Sequence, residues 1–233
     1  MGSGRRIGYI KFFRDLDKLK SFEDGLFYCN TPEFYRQSPA DGVSDPHESC
    51  FHAYRKSRGD DSVKIQINGT EIEGITDSTT YLGGLKDRWL HCWFAFDMPE
   101  SDIEFDNLYQ NIQMMRKEFG ENFAFLPREN LLRFVNRLRS AIELNLEHGN
   151  VKYSSNKQEW SFACKSSAYS YQKEFRFVVG ECGHLETTPL KIIVQEGFSD
   201  LIFVNDSIEL KDKNSNLLFF YLDKNNCLGI KSS

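Results

Sequence analysis

The residue types best suited to chemistry lie late in the chain, in Lys165-Ser-Ser-Ala-Tyr-Ser-Tyr-Gln-Lys-Glu-Phe-Arg-Phe-Val-Val-Gly180. Its second half alternates. Tyr171, Lys173, Phe175, Phe177 and Val179 take one side; Gln172, Glu174, Arg176 and Val178 take the other. A period of two is that of a strand. One face then carries an amide, a carboxylate and a guanidinium in a row, about 7 Å apart at successive same-face positions. Arg176 would keep Glu174 ionised, and Gln172 would orient a ligand by hydrogen bonds. The aromatics Tyr169 and Tyr171 before the row, and Val178-Val179-Gly180 after it, favour the floor of a cleft. On a solvated surface the same row would be an exposed ion pair worth little. The strand alone leaves both readings open.

Other candidates are weaker. His47-Glu-Ser-Cys50-Phe-His52 offers three metal-ligand types, but its spacing matches no zinc module and no second ligand cluster exists, so no metal site is expected. A metal-dependent nuclease would draw on Asp45, His47, Glu48 and His91. His91 lies inside a hydrophobic run, where a satisfied core histidine is the commoner outcome. Lys11, in the middle of an apolar strand, either snorkels from an edge or faces a ligand. Arg55, Lys56, Arg58 and Arg128 would form a local basic patch for RNA, and Arg133, Arg137 and Arg139 decorate a helix; such charge runs are usually solvated faces. The chain has no Gly-rich phosphate loop and no Gly-x-Ser-x-Gly elbow.

The elements that must position these groups read as follows. Residues 6–13 form a strand with Tyr9, Lys11 and Phe13 on one face. A helix over 15–22 follows, with Asp15 as N-cap. Residues 26–29 form a strand, Asn30-Thr31-Pro32 a turn, and Pro32 opens a helical turn. Residues 36–62 read as a long loop. A hairpin insertion over 63–74 turns at Asn68-Gly69, and 88–96 is a buried strand. The middle, 105–147, is helical apart from a short strand at 122–126. Its second helix, 128–147, carries the stripe Leu131, Val135, Leu138, Ile142 and Leu146 and ends at Gly149. Strands at 190–194, 201–204 and 217–221 close the chain. Strands and helices in mixed order argue for one α+β domain over 1–233. Met1-Gly-Ser-Gly4 reads as a cloning remnant outside the fold.

Composition bounds the function. The 233 residues are 40% hydrophobic and 27% charged, as in an ordinary globular chain. Twenty Phe and ten Tyr predict an aromatic core rich in strands. A net charge of -5 argues against a general nucleic-acid binder. Neither a membrane span nor a secretory leader is visible, so no membrane partner and a cytoplasmic location are expected. The six cysteines form no Cys-x-x-Cys pair and read as reduced thiols.

Several of these pieces, in this order, resemble a widespread bacterial family of largely uncharacterised proteins. Its members carry a Tyr-Lys-Tyr/Phe strand, a Leu-Tyr-Phe-Ser-x-Pro strand-turn, an Asn-Asp-Pro-Phe-Glu motif and a late Lys-x-x-x-Trp-x-Tyr-Glu-x-Glu-x-Arg. Here they read Tyr9-Ile-Lys11-Phe12-Phe13, Leu26-Phe-Tyr-Cys-Asn-Thr-Pro32, Ser44-Asp-Pro-His-Glu48 and Lys165-Ser-Ser-Ala-Tyr169-Ser-Tyr171-Gln-Lys-Glu174-Phe-Arg176. Lys11 stands where related enzymes have His or Arg. Gln172 replaces Glu, Tyr169 replaces Trp, and Ser44 replaces Asn. The resemblance implies an ADP-ribosyltransferase-like split β-sandwich with a helical insertion in the middle. NAD would be the ADP-ribose donor. Glu174 would be the catalytic carboxylate, with Arg176 keeping it charged and Gln172 addressing the acceptor. Lys11, with Tyr9, would hold the donor from the first strand. Tyr28, Asn30 and Thr31 would stand at the second strand, and Tyr28, Phe34, Tyr35 or Trp93 would stack on nicotinamide. The implied activity is ADP-ribosyl transfer to a macromolecule, RNA or protein, by a toxin or antiviral effector, with NAD and that acceptor as partners and an antitoxin protein as a further candidate. An NAD hydrolase with the same site, and a non-catalytic protein-binding module using the 36–62 loop, are the alternatives.

Overall fold

Large apolar residues on both sides of Arg6–Phe13, Asp87–Asp97 and Glu174–Cys182 make these strands the middle of a sheet buried on both faces. The computed structural model describes residues 5–39, 42–61, 63–81, 84 and 86–230. Within it the central sheet has six strands, in the order Phe203–Val204, Asn122–Pro127, Arg6–Phe13, Asp87–Asp97, Glu174–Cys182 and Leu146–Asn150. Every neighbouring pair is antiparallel. The architecture is mixed α+β with mostly antiparallel pairing.

Register fixes the faces. Ile10 pairs with Phe94, and Phe94 with Glu174. Cross-strand partners share a face, so Ile10, Phe94 and Glu174 look the same way. That face carries Ile10, Phe12, Phe94 and Phe96 against Leu108, Ile112 and Met115 of the helix Asp102–Phe119. The other face carries Tyr9, Trp93, Phe175 and Phe177. These pack against Leu19 and Phe22 of the helix Leu16–Glu23 and against Phe134 and Leu138 of the helix Leu131–Ser140.

The sheet forks at one residue. On the central strand, Leu90 exchanges both backbone hydrogen bonds with Asn30, at 2.7 and 3.0 Å, while Phe94 pairs with Ile10. Cys92 lies midway and turns its peptide edge into the gap. Beyond Ile10 the first strand continues beside Asn122–Pro127, and Leu26–Cys29 pairs instead with Leu190–Ile193. The Lys11 ammonium closes the crotch by donating to the Cys92 carbonyl at 2.9 Å. This is where the half-buried lysine goes: a strand carbonyl without a strand partner needs a donor.

Three expectations are corrected. The second middle helix runs only Leu131–Ser140, and Leu146 belongs to the edge strand Leu146–Asn150, opposite Val179. Ile142 and Leu146 continue the helical period, but pairing along Glu174–Cys182 takes them; Gly149 sits in that strand opposite Arg176. The segment 105–147 is therefore no insertion, since Asn122–Pro127 and the edge strand complete the central sheet. The 36–62 loop contains the strand His52–Arg55, paired with Asp77–Thr80, and the hairpin Ile65–Ile67 with Thr70–Ile72 follows. Finally, the late strand begins only at Glu174. Ser167–Gln172 is a 3-10 turn, and Lys173 takes a left-handed conformation, φ 39°.

A second feature escaped the sequence. Arg36 is fully buried and bonds Glu33 and Asp87, both at 2.7 Å, with the Glu48 and His184 carbonyls at 2.7 and 2.9 Å. Arg55 adds a two-toothed contact to Glu33 at 2.8 Å. This network fastens the helix Pro32–Gln37, capped by Thr31, to the 42–50 loop and the start of the central strand.

Candidate active site at the sheet fork

Glu174 opens its strand with its carboxylate gripped on both sides. Oε1 accepts from Lys165 Nζ at 2.8 Å and Oε2 from Arg176 Nε at 2.6 Å. Arg176 turns its other edge to Glu48, with two bonds of 2.8 Å, and also bonds the Phe162 carbonyl. Lys165 further donates to Gln172 Oε1 at 3.0 Å and stands 3.5 Å from both Asp45 and Glu48. Its ammonium lies 4.6 Å from the Tyr169 ring. Gln172 and Tyr169 reach the carbonyls of Gly42 and Ser44 at 2.9 and 3.2 Å, and the Glu174 amide donates to the Tyr153 hydroxyl at 2.7 Å. Asp45, Glu48, Lys165, Gln172, Glu174 and Arg176 are all more than nine-tenths buried.

The left-handed Lys173 explains how Gln172 and Glu174 both face Lys165 although they do not share a strand. It reverses the chain for one residue and turns its own side chain away. The late motif and the Asp45-Pro-His-Glu48 motif thus close on one another. The sequence put Glu174, Arg176 and Gln172 on one strand face; the structure brings them together, with Gln172 coming from the turn before the strand. Sequence reasoning used Asp45 and Glu48 only as motif letters and metal ligands, and it missed Lys165 as their shared counter-ion. Tyr153 left no signal in the sequence.

Electrostatics follow from burial against pairing. Burial opposes the charge on Glu174, but Arg176 and Lys165 outweigh it and bring its pKa down to about 2. Glu48 is held low by the same two cations against its own burial. Lys165 and Arg176 are raised despite burial, chiefly by Glu174 and Glu48. Asp45 goes the other way. Burial and the neighbouring Glu48 push it up to about 6, against the pull of Lys165. Two cations face three carboxylates, and Asp45 is the first of them to take up a proton as the pH falls.

Beside this cluster lies the fork. Cys92 is partly exposed, although it sits mid-way along the central strand. Asn30 shares the face of its partner Leu90, and hence that of Glu174; its Oδ1 is buried with no partner among the described residues. The Tyr35 hydroxyl, pushed well up by burial, senses Cys92, Arg176, Glu174 and Glu48. Burial lowers the Lys11 ammonium, and Cys92, Cys29 and Glu174 pull it back up. Lys11 leaves its strand on the Tyr9 side and reaches the Cys92 carbonyl in the gap, while Asn30 and Glu174 share the other face.

Other expected donor contacts are not brought here. Tyr9 is 5% exposed on the face opposite Glu174, packed on Phe175 with ring centroids 4.3 Å apart. Trp93 is 2% exposed on that same far face, edge-on to Phe22 and Phe134. Thr31 is fully buried and spends its hydroxyl capping the helix Pro32–Gln37, accepting from the Phe34 amide at 3.1 Å. Tyr28 and Phe34 are exposed. His91 bonds the Tyr28 carbonyl through Nδ1 at 2.7 Å, and burial holds it neutral as a core residue. The basic patch is not free either. Arg55 is spent on Glu33, and Arg58 on Asp60 and the Arg36 carbonyl. Arg133 and Arg137 pair with Asp200. Among the described residues no three His, Cys, Asp or Glu side chains are grouped to hold a metal ion, and no helix is long and apolar enough to cross a membrane.

Compared with known proteins, the chain matches no family model, no curated protein and no solved structure.

Proposed function

We propose that this chain is an NAD-dependent ADP-ribosyltransferase, with Glu174 as its charge-stabilising carboxylate and a macromolecule, RNA or protein, as acceptor. The observation that carries the reading is a fixed, ionised Glu174 beside a forked sheet in which Lys11 bonds the Cys92 carbonyl and Asn30 Oδ1 is buried without a partner among the described residues. In the transfer, the bond between the nicotinamide nitrogen and ribose C1′ breaks, and its electron pair neutralises the pyridinium. An acceptor oxygen or nitrogen bonds C1′ and releases its proton. Between these events the ribose carries positive charge, and a preoriented anion stabilises it. A carboxylate offers about four lone-pair directions; Lys165 and Arg176 use two, leaving the others for ribose hydroxyls or the cation. Asn30 Oδ1 is a buried acceptor that a carboxamide or hydroxyl of the donor would satisfy. Lys11 suits a diphosphate oxygen.

The closed ion-pair cluster favours a second reading, a non-catalytic module in which Glu174 clamps the 42–50 loop as a partner-binding surface. The two separate on Glu174→Gln, which keeps shape and removes charge. The native chain is incubated with NAD labelled on the adenylate, plus total cell protein and RNA. Transfer by the native chain, reduced about a hundredfold or more in the variant, supports the enzyme. Release of nicotinamide and ADP-ribose without transfer assigns the site to hydrolysis. Intact NAD with every acceptor, or equal activity in the variant, sinks the proposal.

A further inference from the structure

A cavity of about 530 Å³ opens past the other end of Glu174, measured along the central strand from the fork. Its walls come from three places. The helix Asp102–Phe119 contributes Glu104, Asn107, Leu108 and Asn111, spaced to share one face. The sheet ends contribute Arg5 and Asp97, and the turn before the late strand contributes Ser170, Tyr171 and Lys173. The volume suits a small organic ligand.

Which lining groups are already spent decides what would fit. Arg5 grips both oxygens of Glu104 and the Met98 carbonyl. Asp97 is held by Arg6 at 2.5 Å. These charges cancel within the wall. Asn107, Asn111, Ser170 and Lys173 make no side-chain hydrogen bond or close ion pair among the described residues, although the charge of Lys173 reaches the Glu104 carboxylate across the cavity. Lys173 is placed by its left-handed backbone, which lysine adopts rarely. The two residues beside it turn into the buried cluster, and Lys173 turns out of it. The unspent set is thus one ammonium, one hydroxyl and two amides a helical turn apart, beside the Tyr171 ring and Leu108.

We propose that this cavity binds a nucleoside monophosphate. Lys173 and Ser170 donate to the phosphate. The Asn107 and Asn111 amides, each both donor and acceptor, read a base edge or ribose hydroxyls. Tyr171 and Leu108 provide an apolar wall for the ring. The inference stands on the cavity alone. Within the transfer reading, its occupant is the acceptor, an unpaired nucleotide of RNA.

The test is a titration of the full chain, without NAD, followed by amide NMR shifts. The probes are the four ribonucleoside 5′-monophosphates, inorganic phosphate and a short acidic peptide. Mononucleotides should shift the amides of 170–173 and 104–111 and saturate in the millimolar range or below. Lys173→Ala should weaken every phosphate-bearing probe about tenfold or more. The pair Asn107→Ala with Asn111→Ala should weaken nucleotides several-fold and leave inorganic phosphate unchanged. These side chains are partly exposed, so unchanged melting curves will show that the variants fold. No saturation by any nucleotide overturns the proposal. So does equal binding of phosphate and nucleotides with no effect of the asparagine pair, or tighter binding of the acidic peptide. Glu174→Gln should leave nucleotide affinity intact while removing transfer, so the failure of one reading is visible apart from the other.

Discussion

Asp45→Asn gives the most quantitative test of the buried cluster. Asparagine has the shape of a protonated aspartate and keeps an oxygen to accept from the His47 amide, a bond of 3.1 Å. Burial and Glu48 raise the folded-state pKa of Asp45 from 3.8 to about 6. The folded chain then binds more protons than the unfolded chain across this window. A raised carboxylate contributes its full stability below the unfolded pKa and loses it as pH rises through the folded one. About two units at 1.36 kcal/mol each correspond to roughly 3 kcal/mol. His47, lowered to about 4 mainly by burial, works oppositely over the same range, so the native curve alone hides the effect. The difference between variant and native chain removes that background. Urea unfolding followed by tryptophan fluorescence supplies the stabilities. The advantage of Asp45→Asn over the native chain should grow by roughly 2.5 kcal/mol between about pH 4 and about pH 7. A flat difference would mean that Asp45 is not strained by burial. A falling one would mean that its attraction to Lys165 wins.

Two further variants test the scaffold. Arg36→Met leaves Glu33 and Asp87 buried without their common guanidinium, and should cost about 3–5 kcal/mol in urea unfolding; a loss below about 1 kcal/mol would show those carboxylates solvated. At Gly25, φ is 105° and an added Cβ would lie 2.0 Å from the Val194 carbonyl. Gly25→Ala should therefore destabilise by at least about 2 kcal/mol and loosen Leu26–Cys29 from Leu190–Ile193, read by hydrogen exchange at Phe27 and Ile192. Full protection there would contradict the close approach.

The sequence by itself determined what is local. Alternation in 6–13 and apolar content in 88–96 gave the strands, because period and burial are written in neighbouring residues. Asp15 and Thr31 sit at helix starts, and Asn68-Gly69 turns a hairpin with both φ values positive, because caps and turns are short-range chemistry. Glu174 and Arg176 meet because two residues on one strand face are always near. What the tertiary structure decided is which distant face joins which. Glu174 and the first strand lie more than 150 residues apart in the chain, and only register makes Ile10, not Tyr9, share the carboxylate's side. A shift of one residue would have exchanged them. For the same reason Trp93 went to the aromatic core. Pairing likewise overrode the helical period at Leu146. The enclosure of Glu174 by Lys165, Glu48 and Asp45 needed three segments to converge in a space without water. There an unpaired charge is costly, so the long-range ion pairs had to form together or not at all.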